Sequence, residues 1–180
     1  MSNLFFTSSE NNNKFGVYKV VKELSNRIKR KKKNIKFSNK IREFINFYPK
    51  LVHIHGCWKL HLLIIFLFSK IFKIKIVVSP HGMLDPFSIS QKKIKKIFGW
   101  HLYQKFILLY SDLIIVNSTK EKQNVLSIAK RKLKIKIINH GVEINSNFSL
   151  KEKKNKNLRF IFFPNWHYGH IKYFQYFTVF

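Results

Sequence analysis

Short apolar runs that alternate with helix-period segments constrain this chain more than any other feature. Residues 3–7, 51–55, 74–79, 113–117 and 134–139 are runs of strand length rich in Ile, Val, Leu or Phe. Between them the period changes. Val17, Val20, Val21, Leu24 and Ile28 recur at helical spacing. Residues 39–47 predict a weaker helix, stopped by Pro49. Residues 91–110 predict a long amphipathic helix with Ile94, Ile97, Phe98, Leu102, Phe106 and Leu109 on one stripe. Alternation of this kind implies right-handed crossovers, hence an α/β fold whose parallel sheet carries helices on both faces.

In such sheets ligands bind beyond the carboxyl ends of the strands. The informative loops therefore follow Thr7, His55, Ser79, Asn117 and Asn139. His55-Gly56, Pro80-His81-Gly82 and His140-Gly141 fall in those loops, as does Ser118 with Glu121 in capping-box spacing. His53 and His55 alternate on one face of their strand. With His81 they carry zinc-ligand chemistry, but their spacing fixes no complete site, and no metal is expected. Asp112 reads equally as a helix-end residue and as a site residue.

Residues 60–72 are strongly apolar, yet a bilayer span needs about 20 residues. Lys70, Lys73 and Lys75 stop the run from extending, so it reads as a buried helix, with a membrane-dipping helix as the alternative. At 180 residues and 46% hydrophobic content, the chain has material for a packed core. Cys57 is its one cysteine, which excludes an internal disulfide framework. The first residues show no basic-then-apolar secretory pattern, and a cytoplasmic location is expected. Thirty-five Lys and Arg against eight acidic residues give a formal charge of +27. Lys, Asn, Ile and Phe dominate, and the basic residues are dispersed. The charge therefore reads first as solvated surface, next as attraction to anionic lipid at the inner face of the membrane, and last as nucleic-acid binding.

The segments VSPHGMLDPFSISQKKIKK, DLIIVNSTKEKQNVL and IINHGVEI, with VHIHGCW and NLFFTSS upstream, occur in one order along the chain. That order resembles the family 4 glycosyltransferases of the GT-B fold. The resemblance implies the N-terminal, acceptor-side domain, with a Rossmann-like parallel sheet. It further implies transfer of a sugar from a nucleotide-sugar donor to a hydroxyl on a glycan or lipid-linked acceptor, in synthesis of a surface polysaccharide or glycolipid. No cofactor is implied beyond the nucleotide-sugar substrate.

On this resemblance His81 is the candidate catalytic residue, projecting into the cleft toward the donor sugar. Gly16 allows close approach of the donor diphosphate. His55, Gly56, Gly82, Ser118, Glu121 and Gly141 are the remaining candidate substrate-binding residues. Ser118 and Glu121 also have a purely structural explanation as a helix cap. The interval between Gly16 and His53 is short for such a domain and predicts a missing or reduced strand–helix unit.

The expected organisation is an acceptor-side domain over residues 1–144, a basic linker over 145–157, and a donor-domain start over 158–163 within an aberrant aromatic tail, 158–180. The absence of a Glu-x7-Glu pair and the reading PNWHYGHIKYFQYFTVF after Phe163 lead to the expectation of a truncation or frameshift there. The chain alone is then expected to be inactive. The rival classes are a non-catalytic partner subunit and a basic nucleic-acid- or membrane-binding module.

Overall fold

The computed structural model describes residues 3–12, 16–31 and 34–139. The chain divides into two units, Met1–His140 and Gly141–Phe180, and every described residue belongs to the first. Gly141, the 145–157 linker and the 158–180 tail therefore lie outside the described residues.

The described strands are β1 (Leu4–Ser8), β2 (Ile35–Phe37), β3 (Leu51–His55), β4 (Lys75–Ser79), β5 (Leu113–Val116) and β6 (Ile135–Ile137). They form one sheet in the order β2-β1-β3-β4-β5-β6, and every pairing is parallel. The helices are α1 (Gly16–Lys31), α2 (Ile41–Phe47), α3 (Leu60–Ile71), α4 (Pro86–Ser90), α5 (Lys93–Gly99), α6 (Lys105–Leu109) and α7 (Thr119–Ala129). A wide π turn, Trp100–Gln104, joins α5 to α6. This is the expected α/β, Rossmann-like architecture.

Strand alternation divides the core between the two faces of the sheet. Phe5, Val52, Ile54, Ile76, Val78, Ile114 and Val116 pack with side chains from α2, α3, the 100–108 segment and α7. Phe6 and Ile35 face the other way and pack against Val17 and Val21 of α1. His53 and His55 share that second face, each with its ring about one ring-width from Phe6 (5.6 and 5.8 Å between centroids).

The structure refines three expectations in detail. The short interval before β3 does hold a strand–helix unit, β2 with α2, but a reduced one. Ile35–Phe37 is three residues long and follows a run of lysines, so its alternation is too brief to stand out. Residues 93–109 are one unbroken run of helical backbone with a π insertion at Trp100–Gln104, but the predicted stripe faces outward: Ile94, Ile97, Phe98, Leu102 and Phe106 are all exposed. The inward side carries Trp100, Tyr103, Gln104, Ile107 and Leu108. Both sides of this segment are apolar, so periodicity alone cannot choose between them. One tertiary bond that favours the observed choice is the Trp58 backbone N–H donating to Gln104 Oε1 at 3.0 Å.

α3 is likewise buried on one side only. Leu62, Ile65, Phe66 and Ser69 face the sheet, whereas Leu60, Ile64, Leu67 and Ile71 are exposed. Among the described residues no helix is long and apolar enough to cross a membrane.

These burial assignments predict a sharp contrast in urea unfolding. Ile54→Ala, at a fully buried position of β3, should cost about 2–5 kcal/mol. Phe98→Ala, at a position 75% exposed, should change stability by about 0.5 kcal/mol or less.

Candidate functional site at the carboxyl edge of the sheet

Parallel pairing brings the last residues of the central strands abreast. Ser8 is level with His55, and His55 with Ser79. The backbone ladder continues one step past the strand ends, with Ser9 N–H donating to His55 O and Gly56 N–H to Ser79 O, both at 2.8 Å. At Gly56 this approach leaves no room for a side chain: an added Cβ would lie 2.1 Å from Ser9 Oγ, and φ is +87°. Gly56 is itself buried, packed against Ser9 and Met83.

The histidines form one stack on the α1 face. His55 Nδ1 lies 2.8 Å from His81 Nε2, and His53 Nε2 lies 2.9 Å from Ser79 Oγ. The His53 and His55 ring centroids are 3.8 Å apart, and those of His55 and His81 are 5.1 Å apart. His55 is almost fully buried, and His81, partly exposed, is its outlet to the surface. When both rings are neutral, one of the facing nitrogens must donate and the other accept, so the tautomers of His55 and His81 are coupled. Burial pushes the His53 imidazole down to about 3. His53 is therefore neutral and structural at physiological pH.

His81 and Gly82 both have positive φ, +53° and +70°. This turn is braced by Glu121, whose Oε1 accepts the Gly82 N–H and whose Oε2 accepts the Asn117 N–H, both at 2.7 Å. The expected capping box is thus only half present. Ser118 Oγ does accept the Glu121 N–H at 3.1 Å. The Glu121 carboxylate, however, does not return to the Ser118 N–H as the capping box requires. It ties the loop after β4 to the end of β5. Charge-assisted bonds of this kind are stronger than neutral ones, and Glu121 is 8% exposed.

The other candidates occupy different places. Gly16 opens α1, on the loop that leaves the carboxyl end of β1. Gly82 is exposed, with open space where a Cβ would stand. Ser118 is exposed and caps α7. Asp112 sits at the opposite, amino edge of the sheet, where its carboxylate accepts the Ile76 N–H at 2.8 Å and faces Lys75 at 3.4 Å. Cys57 is buried, and that burial raises its thiol pKa, so it presents no thiolate. Among the described residues no group of three or more His, Cys, Asp or Glu is placed to hold a metal ion.

Several residues that shape this edge carried no distinctive sequence signal. Asn39 Oδ1 accepts the Ser8 N–H at 2.7 Å, while its amide donates to Glu10 O at 2.7 Å, fixing the loop after β1. His61 Nε2 lies 3.0 Å from Ser8 O. Met83 Sδ accepts the Cys57 N–H at 3.2 Å. Asp85 was findable, because Asp before Pro is a helix-start signal. It caps α4 through the Phe87 N–H at 3.0 Å and accepts from Asn124 of α7 at 2.8 Å.

Residues 4–146 match the family model described as Glycosyltransferase Family 4. No curated protein matches the chain.

Two outcomes follow from this geometry. Glu121→Gln turns one acceptor oxygen into a donor facing a backbone N–H, so the unfolding free energy should fall by about 1–3 kcal/mol. His53 gives a pH signature. The fold holds its neutral form, and the unfolded histidine has the ordinary value of 6.5. Protons then bind the unfolded chain preferentially as pH falls below 6.5 toward about 3, and stability is lost across that window. Thermal melting should drop between neutral pH and about pH 5, and His53→Gln should flatten the drop.

Proposed function

The chain belongs to glycosyltransferase family 4, and on that footing we propose that it supplies the acceptor wall of a sugar transferase. The donor is a nucleotide-sugar, and the acceptor is a hydroxyl on a glycan or lipid-linked glycan destined for a surface polysaccharide or glycolipid. The observation that carries this reading is the family match over residues 4–146. The arrangement at the carboxyl edge of the sheet is compatible with it.

A sugar leaving a nucleotide passes through an oxocarbenium-like state while negative charge builds on the departing diphosphate. His81 is the group that faces the sugar in this reading. Its left-handed backbone turns the ring at the strand end, Glu121 holds the following N–H, and the His55 ring sets its orientation. The diphosphate is received at the start of α1, where Gly16 allows the chain to approach it closely. His55, Gly56, Gly82 and Ser118 then shape or support the acceptor side. Transfer also needs a donor wall opposite this one, because positioning both reactants provides much of the rate.

The test compares the 180-residue chain with the same chain joined to the donor-side domain of another family 4 enzyme. Each is assayed with nucleoside-diphosphate sugars and with glycan or lipid-linked acceptors. Transfer is expected only in the joined protein, and His81→Ala should lower it roughly a hundredfold or more. Transfer unaffected by His81→Ala would remove His81 from this role. Turnover by the 180-residue chain alone would overturn the division of labour between the walls.

A further inference from the structure

The outward faces of α3 and of the α5–α6 segment form two apolar stripes side by side. On α3, Leu60, Ile64, Leu67 and Ile71 recur at one helical face and are all exposed, Ile71 at 71%. On the second segment, Ile94, Phe98, Leu102, Phe106 and Tyr110 are exposed at intervals of four residues, with Phe98 at 75% and Leu102 at 70%. In an α-helix residues four apart drift around the axis by about 40° per step. The π turn at Trp100–Gln104 winds more slowly and offsets part of that drift, so the second stripe holds its line. Leu67, Leu102, Phe106 and Tyr110 line a groove of about 510 Å³ between the stripes.

Exposed apolar area on this scale marks a surface with a partner, and charge decides which one. Between Lys59 and Tyr110 there are nine lysines and a single acidic residue, Asp85. The Asp85 carboxylate is already occupied by the Phe87 N–H and Asn124. A second copy of the chain would bring the same positive face against itself. Residues 141–180 carry six basic and two acidic residues, so they have the same sign. A polyanion such as nucleic acid would satisfy the lysines but leave Ile71, Ile94 and Leu102 in water. An anionic bilayer surface satisfies both, with acyl-chain contact for the stripes and headgroup charge for the lysines.

We infer that the α3 and α5–α6 stripes form a docking face for an anionic lipid bilayer, on which the domain lies without crossing it. The end of the groove marked by Lys70 and Tyr110 lies toward the amino edge of the sheet, where Asp112 joins β5 to β4. The His81 ring stacks with His55 on the other, α1 face of the sheet, so docking through the α3 side does not cover it. This inference does not rest on the transferase reading, and its test involves no sugar transfer.

The experiment is sedimentation of the full 180-residue chain with phosphatidylcholine vesicles, and with vesicles that also contain phosphatidylglycerol. Binding is expected to the second kind and to weaken as salt is raised. A Phe98→Ser and Leu102→Ser double variant should bind roughly tenfold more weakly or worse, with an unchanged melting temperature because both sites are exposed. Lys93→Glu with Lys95→Glu should weaken binding through the other component. Failure to bind anionic vesicles, equal binding to neutral ones, or binding indifferent to the Phe98 and Leu102 changes would each overturn the inference. Tighter binding to single-stranded oligonucleotide, with the same dependence on Phe98 and Leu102, would assign the face to nucleic acid instead.

Discussion

Parallel pairing of β3 with both of its neighbours is the constraint from which the rest of the structure follows. The five-residue registers of β3 with β1 and with β4 put Ser8, His55 and Ser79 on one line. Every chain segment that leaves the sheet at that line does so within reach of the others. Without that alignment, His55 and His81 would be separate turn histidines 26 residues apart in sequence. With it, their rings share one hydrogen bond. The tight crossing of Ser9 over Gly56 has the same origin, because two adjacent ladders each extend one residue beyond their strands.

The edge is held by backbone groups that find side-chain acceptors where the ladders stop. Asn39 serves the loop after β1, Met83 the loop after β3, and Glu121 the loops after β4 and β5 together. Glu121 is the most consequential of these. One carboxylate joins two loops that differ in strand of origin, and one of them carries His81 in a left-handed backbone conformation. A rigid floor of this kind holds the His81 turn in one fixed direction, as the role proposed for it requires.

Away from that edge the molecule shows different physics. The helical layer over α3 and α5–α6 is apolar on its inner and outer sides, and only the inner side has a partner within the described residues. Along the sequence, lysines punctuate these segments with almost no acidic residues among them. The exposed aliphatic surface, not the well-hydrated lysines, is what is unfavourable in water, which separates this face chemically from the histidine edge.

The sequence by itself determined the class of fold and the loops that matter. Alternating strand and helix periods demand a parallel sheet, and a parallel sheet puts its carboxyl-end loops together. The strand at Leu51–His55 and the loops bearing His55, His81 and Ser118 were legible for that reason. β2 was not, because three residues among lysines are too few for a period to emerge. Tertiary structure alone decided which side of the 91–110 segment is buried, since both sides are apolar and the choice depends on the layer it meets. It also decided what Glu121 does. A Ser-x-x-Glu spacing is satisfied by a local cap, and only the proximity of the β4 loop redirects the carboxylate to Gly82, 39 residues away in sequence. Local patterns encode which contacts a residue is able to make, but long-range packing selects among them, because neighbours distant in sequence leave no periodic trace in it.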